Sequence, residues 1–161
     1  MFNQIKISKM TEKKQLNVSA IENGTVIDHI PAQNLFRVIS ILGLERIGNL
    51  ITFGTNMESR MLGKKAIIKI AGKFFEKDEI NRIALVAPHA KLNIIKDYTV
   101  VEKQLVEVPD TISGIVKCVN PKCITNFEKV PSKFAVVDKA NVSLKCHYCE
   151  KITDQEHMEF L

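Results

Sequence analysis

Cys118-Val-Asn-Pro-Lys-Cys123 and Cys146-His-Tyr-Cys149 hold all four cysteines of the chain. Each pair is close enough to bend one turn around an ion, and two such turns present four sulfurs at tetrahedral angles. Thiolates favour zinc over magnesium or calcium, and four protein ligands leave no coordination position for a reactive water. The expectation is one structural Zn2+ per chain on Cys118, Cys123, Cys146 and Cys149. Two disulfides would suit a secreted chain, but the N-terminus through Gln15 has no apolar h-region or small-residue cleavage site. A lone redox Cys-x-x-Cys has no partner pair, whereas this one has. His147 competes as a ligand only where four sulfurs do not already satisfy the metal.

Working outward, Val108-Pro109-Asp110 marks a boundary between residues 1–109 and a cysteine module of residues 110–161. About fifty residues bury too little core to fold reliably alone, so the metal carries much of the module's stability. The chain carries a net charge of +5, and the excess lies in residues 1–109, because Lys and Arg balance Asp and Glu in residues 110–161. Four thiolates around one Zn2+ would make the module mildly anionic. That disfavours a nucleic-acid-gripping zinc ribbon, as does the lack of Trp and of a clustered aromatic stacking platform. No apolar run is long enough for a transmembrane helix. A cytoplasmic protein with no membrane and no nucleic-acid partner is the simplest expectation.

Before the boundary the pattern is mixed. Residues 1–15 are polar and lysine-rich, and ordered structure is expected to begin near Leu16. Leu16, Val18 and Ala20 alternate as in a first short strand, and Glu22-Asn23-Gly24 turns the chain into a second over Thr25–Ile30. Pro31 suits the first turn of a helix, with Ala32, Leu35, Phe36, Ile39 and Leu42 at helical spacing and Gly43 as its stop. Residues 49–56 and 65–71 read as strands. Asp78 is placed to cap a second helix, with Ile80, Ile83, Ala84 and Ala87 on one face and Pro88 ending it. Two further strands follow over Lys91–Ile95 and Tyr98–Glu102. After the first short strand this order is the split βαβ of a ferredoxin-like fold: α+β, two helices on one face of an antiparallel sheet, then a small β-rich zinc-binding module. The other sheet face is left free for a ligand or partner.

The run Gly24-Thr-Val-Ile-Asp-His-Ile-Pro-Ala-Gln33 closely resembles the signature of the aspartate carbamoyltransferase regulatory chain family. The resemblance continues through Gly63-Lys64-Lys65, Ile68-Lys69-Ile70, Ala87-Pro88, Ile95-x-x-Tyr98 and the four-cysteine spacing, from residue 16 to about 151. It implies a non-catalytic subunit in pyrimidine biosynthesis that binds ATP and CTP, with UTP a further candidate effector. It also implies a regulatory homodimer, and a zinc module that docks on the catalytic chain and links catalytic trimers. Mapped residue by residue, the family's nucleotide pocket falls on Val18, Ala20, Ile21, Val26, Asp28, His29, Lys69, Asn93, Ile95, Tyr98, Val100 and Lys103.

Without the resemblance these positions say little. Asp28-His29 reads as a polar pair at a strand end, Tyr98 as packing, and Lys69 as the exposed position of an alternating strand. An enzyme has no support, because no nucleophile, base and orienting group share a spacing and every cysteine is committed to metal. No catalytic residue is assigned. His157, in the tail, has no assigned role.

Overall fold

The computed structural model describes residues 18–161. Leu16 and the polar segment before it lie outside the described residues. The chain forms β1 (Gly24–Pro31), α1 (Leu35–Ile41), β2 (Ile51–Ser59), β3 (Gly63–Ala71), α2 (Lys77–Val86), β4 (Lys91–Lys96) and β5 (Thr99–Leu105). These strands make one antiparallel sheet in the order β2-β3-β1-β4-β5. The α+β, ferredoxin-like expectation holds, with β5 added at one edge.

Period-two alternation decides what each face of the sheet carries. On β3, Ala66, Ile68 and Ile70 are fully buried under the helices with Ile27 and Ile30 of β1, Leu92 of β4, Leu35 and Val38 of α1, and Ile83 of α2. Among the described residues, the opposite face has no helix over it. There Ile21, Val26 and Ile95 make a small second cluster with Ile67 and Ala71 packed against it.

Several local expectations are corrected. Residues 18–23 form no strand, because their polar groups are taken up elsewhere: Tyr98 N–H donates to the Glu22 carbonyl, Gly72 N–H to the Asn23 carbonyl, and Lys69 to Val18 and Ser19. Gly24 starts β1 with φ 140°, and a Cβ there would stand 2.0 Å from the Ile70 oxygen, so the close approach requires glycine. Pro31 ends β1; a 3-10 turn over Ala32–Asn34 precedes α1, which therefore starts later than its spacing suggests. Phe36 does not join the core: it is 68% exposed and meets Phe53 of β2 edge-on at 6.0 Å. Glu76, not Asp78, caps α2, in a reciprocal capping box with Glu79, which places Asp78 inside the first turn. Asp97 and Tyr98 both have positive φ and make the two-residue turn between β4 and β5, so Tyr98 belongs to a turn, not a strand.

After β5 come β6 (Thr111–Ser113), β7 (Val116–Lys117), β8 (Lys133–Asp138), β9 (Ser143–Cys146), β10 (Ile152–Thr153) and β11 (Glu159–Phe160). The order β10-β9-β8-β6 makes a second sheet, and β11 pairs with β7. The main apolar core continues from the helices through Val106 and Val108 to Ile112, Ile115, Phe134, Leu144 and Met158. Residues of the C-terminal segment also tie back to the helices: Gln155 donates to the Leu85 carbonyl at 2.8 Å, and Arg37 to that of Met158 at 3.1 Å.

Candidate metal centre and open sheet face

The two cysteine turns meet. Cys118 follows β7, Cys123 precedes a 3-10 turn over Ile124–Asn126, Cys146 ends β9, and Cys149 closes the tight turn after it. One atom from each of the four lies within 4.8 Å of every other. The Sγ atoms of Cys118 and Cys149 are 3.5 Å apart and those of Cys123 and Cys146 are 3.8 Å apart. A disulfide needs about 2.05 Å, so both pairs are free thiols. Sulfurs at about 2.3 Å from a tetrahedral ion stand about 3.8 Å from one another, and the observed separations fit that geometry.

The surroundings fit a metal as well. Cys118, Cys123 and Cys146 are buried. Thr125 Oγ1 donates to the Cys123 sulfur at 3.3 Å, and Asn126 Nδ2 donates to the carbonyls of Cys118 and Asn120, which holds the first turn in shape. Burial pushes the Cys118 and Cys146 thiols up. Burial also opposes ionisation of Cys149, but the Lys151 backbone N–H and the Asn120 side chain, with its neighbouring thiols, bring it down to about 6. Four crowded sulfurs cannot all ionise against one another unless a cation supplies the opposing charge. His147 is outside the cluster; it is exposed and lies edge-on to Tyr148.

The other predicted residues lie on or beside the uncovered sheet face. Cross-strand pairing puts Thr52, Lys69, Val26, Asn93 and Lys103 in one row across all five strands. Residues paired directly across a ladder point to the same face. Ile21 and Ile95 pack with Val26 beside this row, and Ile95 pairs with Val100 of the exposed edge strand β5. Lys69 Nζ donates to the carbonyls of Val18 and Ser19 at 2.9 Å, and burial holds its pKa below the usual lysine value. At one end, Ala20, Ile21, Gly72 and Tyr98 line a cleft of about 390 Å³.

Asp28 and His29 sit at the other end, four residues along β1 from Gly24, which is about 13 Å. They do not touch Tyr98's cleft. His29 has φ 60° at a break in the β1–β3 register. Its backbone N–H donates to Asp28 Oδ1 at 2.6 Å, while its Nδ1, 3.4 Å from Asp28 Oδ2, is buried without a hydrogen bond. Burial raises the Asp28 carboxyl, but the hydrogen bonds from Lys65 and His29 and the Lys65 charge outweigh it, and the pKa ends below the usual value. Burial lowers the His29 pKa; Asp28 opposes this, and the charges of Lys65 and Lys91 add to it.

Two lysines here escape a reading of the sequence alone. Lys65 Nζ donates to Asp28 Oδ1 at 2.8 Å, and Lys91 pairs directly with Asp28 across β1–β4. The Lys65-x-Ile67-x-Lys69 alternation, which puts both lysines on one face, is the signal that could have found Lys65.

A sheet with lysines on the face opposite its helices is followed by a module whose four thiols meet at one point, a two-part build. Family models agree: the aspartate carbamoyltransferase regulatory chain allosteric domain matches residues 16–107, and the metal binding domain of the same chain matches residues 110–159. Curated aspartate carbamoyltransferase regulatory chains from Bacteroides thetaiotaomicron and Bacteroides fragilis are each 58% identical over 153 residues, covering 94% of this chain and all of the relative. One from Pyrococcus furiosus is 51% identical over 146 residues, covering 89% of this chain and 96% of the relative. The chain belongs to the aspartate carbamoyltransferase regulatory chain family, and is therefore a regulatory rather than a catalytic subunit. Among the described residues, no helix is long and apolar enough to cross a membrane.

Proposed function

We propose that this chain senses nucleotides on the open sheet face of residues 1–109 and docks on the catalytic chain of aspartate carbamoyltransferase through residues 110–161. ATP and CTP are the effectors, with UTP a further candidate, and one structural Zn2+ sits on Cys118, Cys123, Cys146 and Cys149. The observation that carries the reading is the cross-sheet row with Lys69, Asn93 and Lys103. An apolar floor of Ile21, Val26 and Ile95 lies beside it, and Asp28 and His29 at one end stand away from the Tyr98 cleft at the other. That length suits an elongated ligand. Lys69 and the backbone near Ile21 and Tyr98 stand at a base and ribose, Asp28 accepts from ribose hydroxyls, and Lys103 with His29 meets phosphate oxygens.

A regulatory homodimer is supported by the outer edge of β2, where Leu50, Phe36 and Phe53 are exposed beside unpaired strand groups. Such dimers would link catalytic trimers in the cytoplasm, in the service of pyrimidine biosynthesis. The mechanism is linkage: a nucleotide that binds one assembly state better than the other shifts catalytic affinity by the same coupling energy, typically about 1 to 3 kcal/mol.

The test is calorimetric titration of CTP and ATP into the zinc-loaded chain and its Asp28→Ala and Lys69→Gln variants. Saturable binding that both substitutions weaken supports the reading. Binding indifferent to both would place the effector elsewhere.

A further inference from the structure

Three arginines line a cleft on the helix side of the molecule, away from the open sheet face and from the cysteine cluster. It measures about 710 Å³ and lies between α1, the turn at Gly43, α2 and the C-terminal strand β11. Arg37 comes from α1, Arg82 from α2, and Arg46 from the 3-10 turn over Leu44–Arg46.

Each of these groups makes few contacts with the protein among the described residues. Arg37 Nη2 donates to the Met158 carbonyl at 3.1 Å, and its guanidinium carbon lies 5.9 Å from the Phe160 ring centroid. Arg82 Nη1 reaches the Leu161 oxygen only at 3.4 Å. Arg46 has the exposed Glu45 at 3.6 Å. The acidic side chain lining the cleft, Glu159, is engaged by Lys117 at 3.1 Å. Among the described residues neither Arg37 nor Arg82 is paired with a side-chain carboxylate. Each guanidinium carries five N–H donors, of which Arg37 and Arg82 each use one among the described residues, and like charges lining one space repel. An oxyanion with several oxygens answers both conditions, because planar guanidinium forks match phosphate geometry.

We infer that this cleft binds a compact, multiply charged oxyanion of the phosphate-ester or pyrophosphate class. The site has reach beyond its own walls. β11 pairs with β7, with Glu159 opposite Lys117 and Phe160 opposite Val116, and β7 runs directly into the first cysteine of the cluster, Cys118. A ligand gripped by Arg37, Arg46 and Arg82 therefore fastens both helices beneath the nucleotide sheet to the strand beside the metal centre. That is the position of a second effector site, and its existence does not depend on what the open sheet face binds.

The probe is inorganic pyrophosphate, titrated calorimetrically at fixed ionic strength into the full metal-loaded chain and into Arg46→Gln, Arg82→Gln and Lys103→Gln. Arg46 is largely exposed, with 84% of its side chain accessible, so Arg46→Gln keeps the fold, which metal content and unfolding temperature verify. The expected result is saturable binding, weakened about tenfold by either arginine substitution and unchanged by Lys103→Gln. Absence of saturable binding overturns the inference. So does binding that Lys103→Gln weakens and the arginine substitutions leave alone, since the anion then occupies the open sheet face.

Discussion

The five-stranded sheet region and the cysteine module solve the same problem in opposite ways. Residues 24–105 stay folded by burying a continuous apolar layer: Ile27, Ile30, Ile68, Ile70, Leu92 and Ile83 are all essentially inaccessible. Residues 111–161 are built of strands two to six residues long. Their geometry is fixed where four sulfurs meet, and Ile124 and Phe127 stay exposed beside the cluster. A region with its own core can leave a whole sheet face open to a small ligand. The module shares the core under the helices through Ile112, Phe134, Leu144 and Met158, but its cysteine turns keep their shape only while the four sulfurs are held together.

Metal removal separates the two most sharply. Cys123→Ser, or exhaustive chelation, is expected to disorder residues near 110–151, because structural sites of this kind contribute their binding energy to folding. Protease digestion should then cut within that module while residues 24–105 resist. Uniform digestion of both would break the distinction. The counterpart in the sheet is Ile68→Ala, expected to cost about 2 to 5 kcal/mol, read as a lower urea midpoint with metal content unchanged. Gly24→Ala should cost roughly 1 to 3 kcal/mol, since the added Cβ meets the Ile70 oxygen and forces β1 and β3 apart. Glu76→Ala, which removes the capping box of α2, should cost about 1 kcal/mol.

The smallest effect considered for the sheet region is electrostatic. His29 has a folded pKa below its ordinary 6.5, so the folded state holds fewer protons than the unfolded chain and stability falls as pH drops below that value. Asp28, also lowered, adds stability that is fully present above about 3.9 and is lost as pH falls through its folded value. His29→Gln should therefore flatten the pH dependence of the unfolding temperature below about pH 6.5. An unchanged slope would mean that the half-buried His29 imidazole is not the group responsible.

What the sequence revealed follows the same division. Both helices, the strand order and the cysteine set were legible, because hydrophobic period and metal-ligand spacing are local signals. What escaped it depends on neighbours. Residues 18–23 alternate like a strand, yet Lys69 and the turns at Gly72 and Tyr98 claim their backbone carbonyls. Tyr98 looked like strand until the Asp97–Tyr98 turn took positive φ. Asp78 is a reasonable cap by type, but the reciprocal pair of Glu76 and Glu79 places the helix start two residues earlier. Lys65 at Asp28 and the cleft lined by Arg37, Arg46 and Arg82 join positions far apart in the chain, which no short-range pattern encodes.

The most direct test of the two-region account is one pair of assays on a single preparation, before and after full metal removal. One assay is calorimetric CTP binding to the chain, and the other is capture of purified catalytic chain. The account predicts that stripping the metal abolishes capture and leaves CTP affinity largely intact. Tight catalytic-chain binding by the metal-free chain would contradict it.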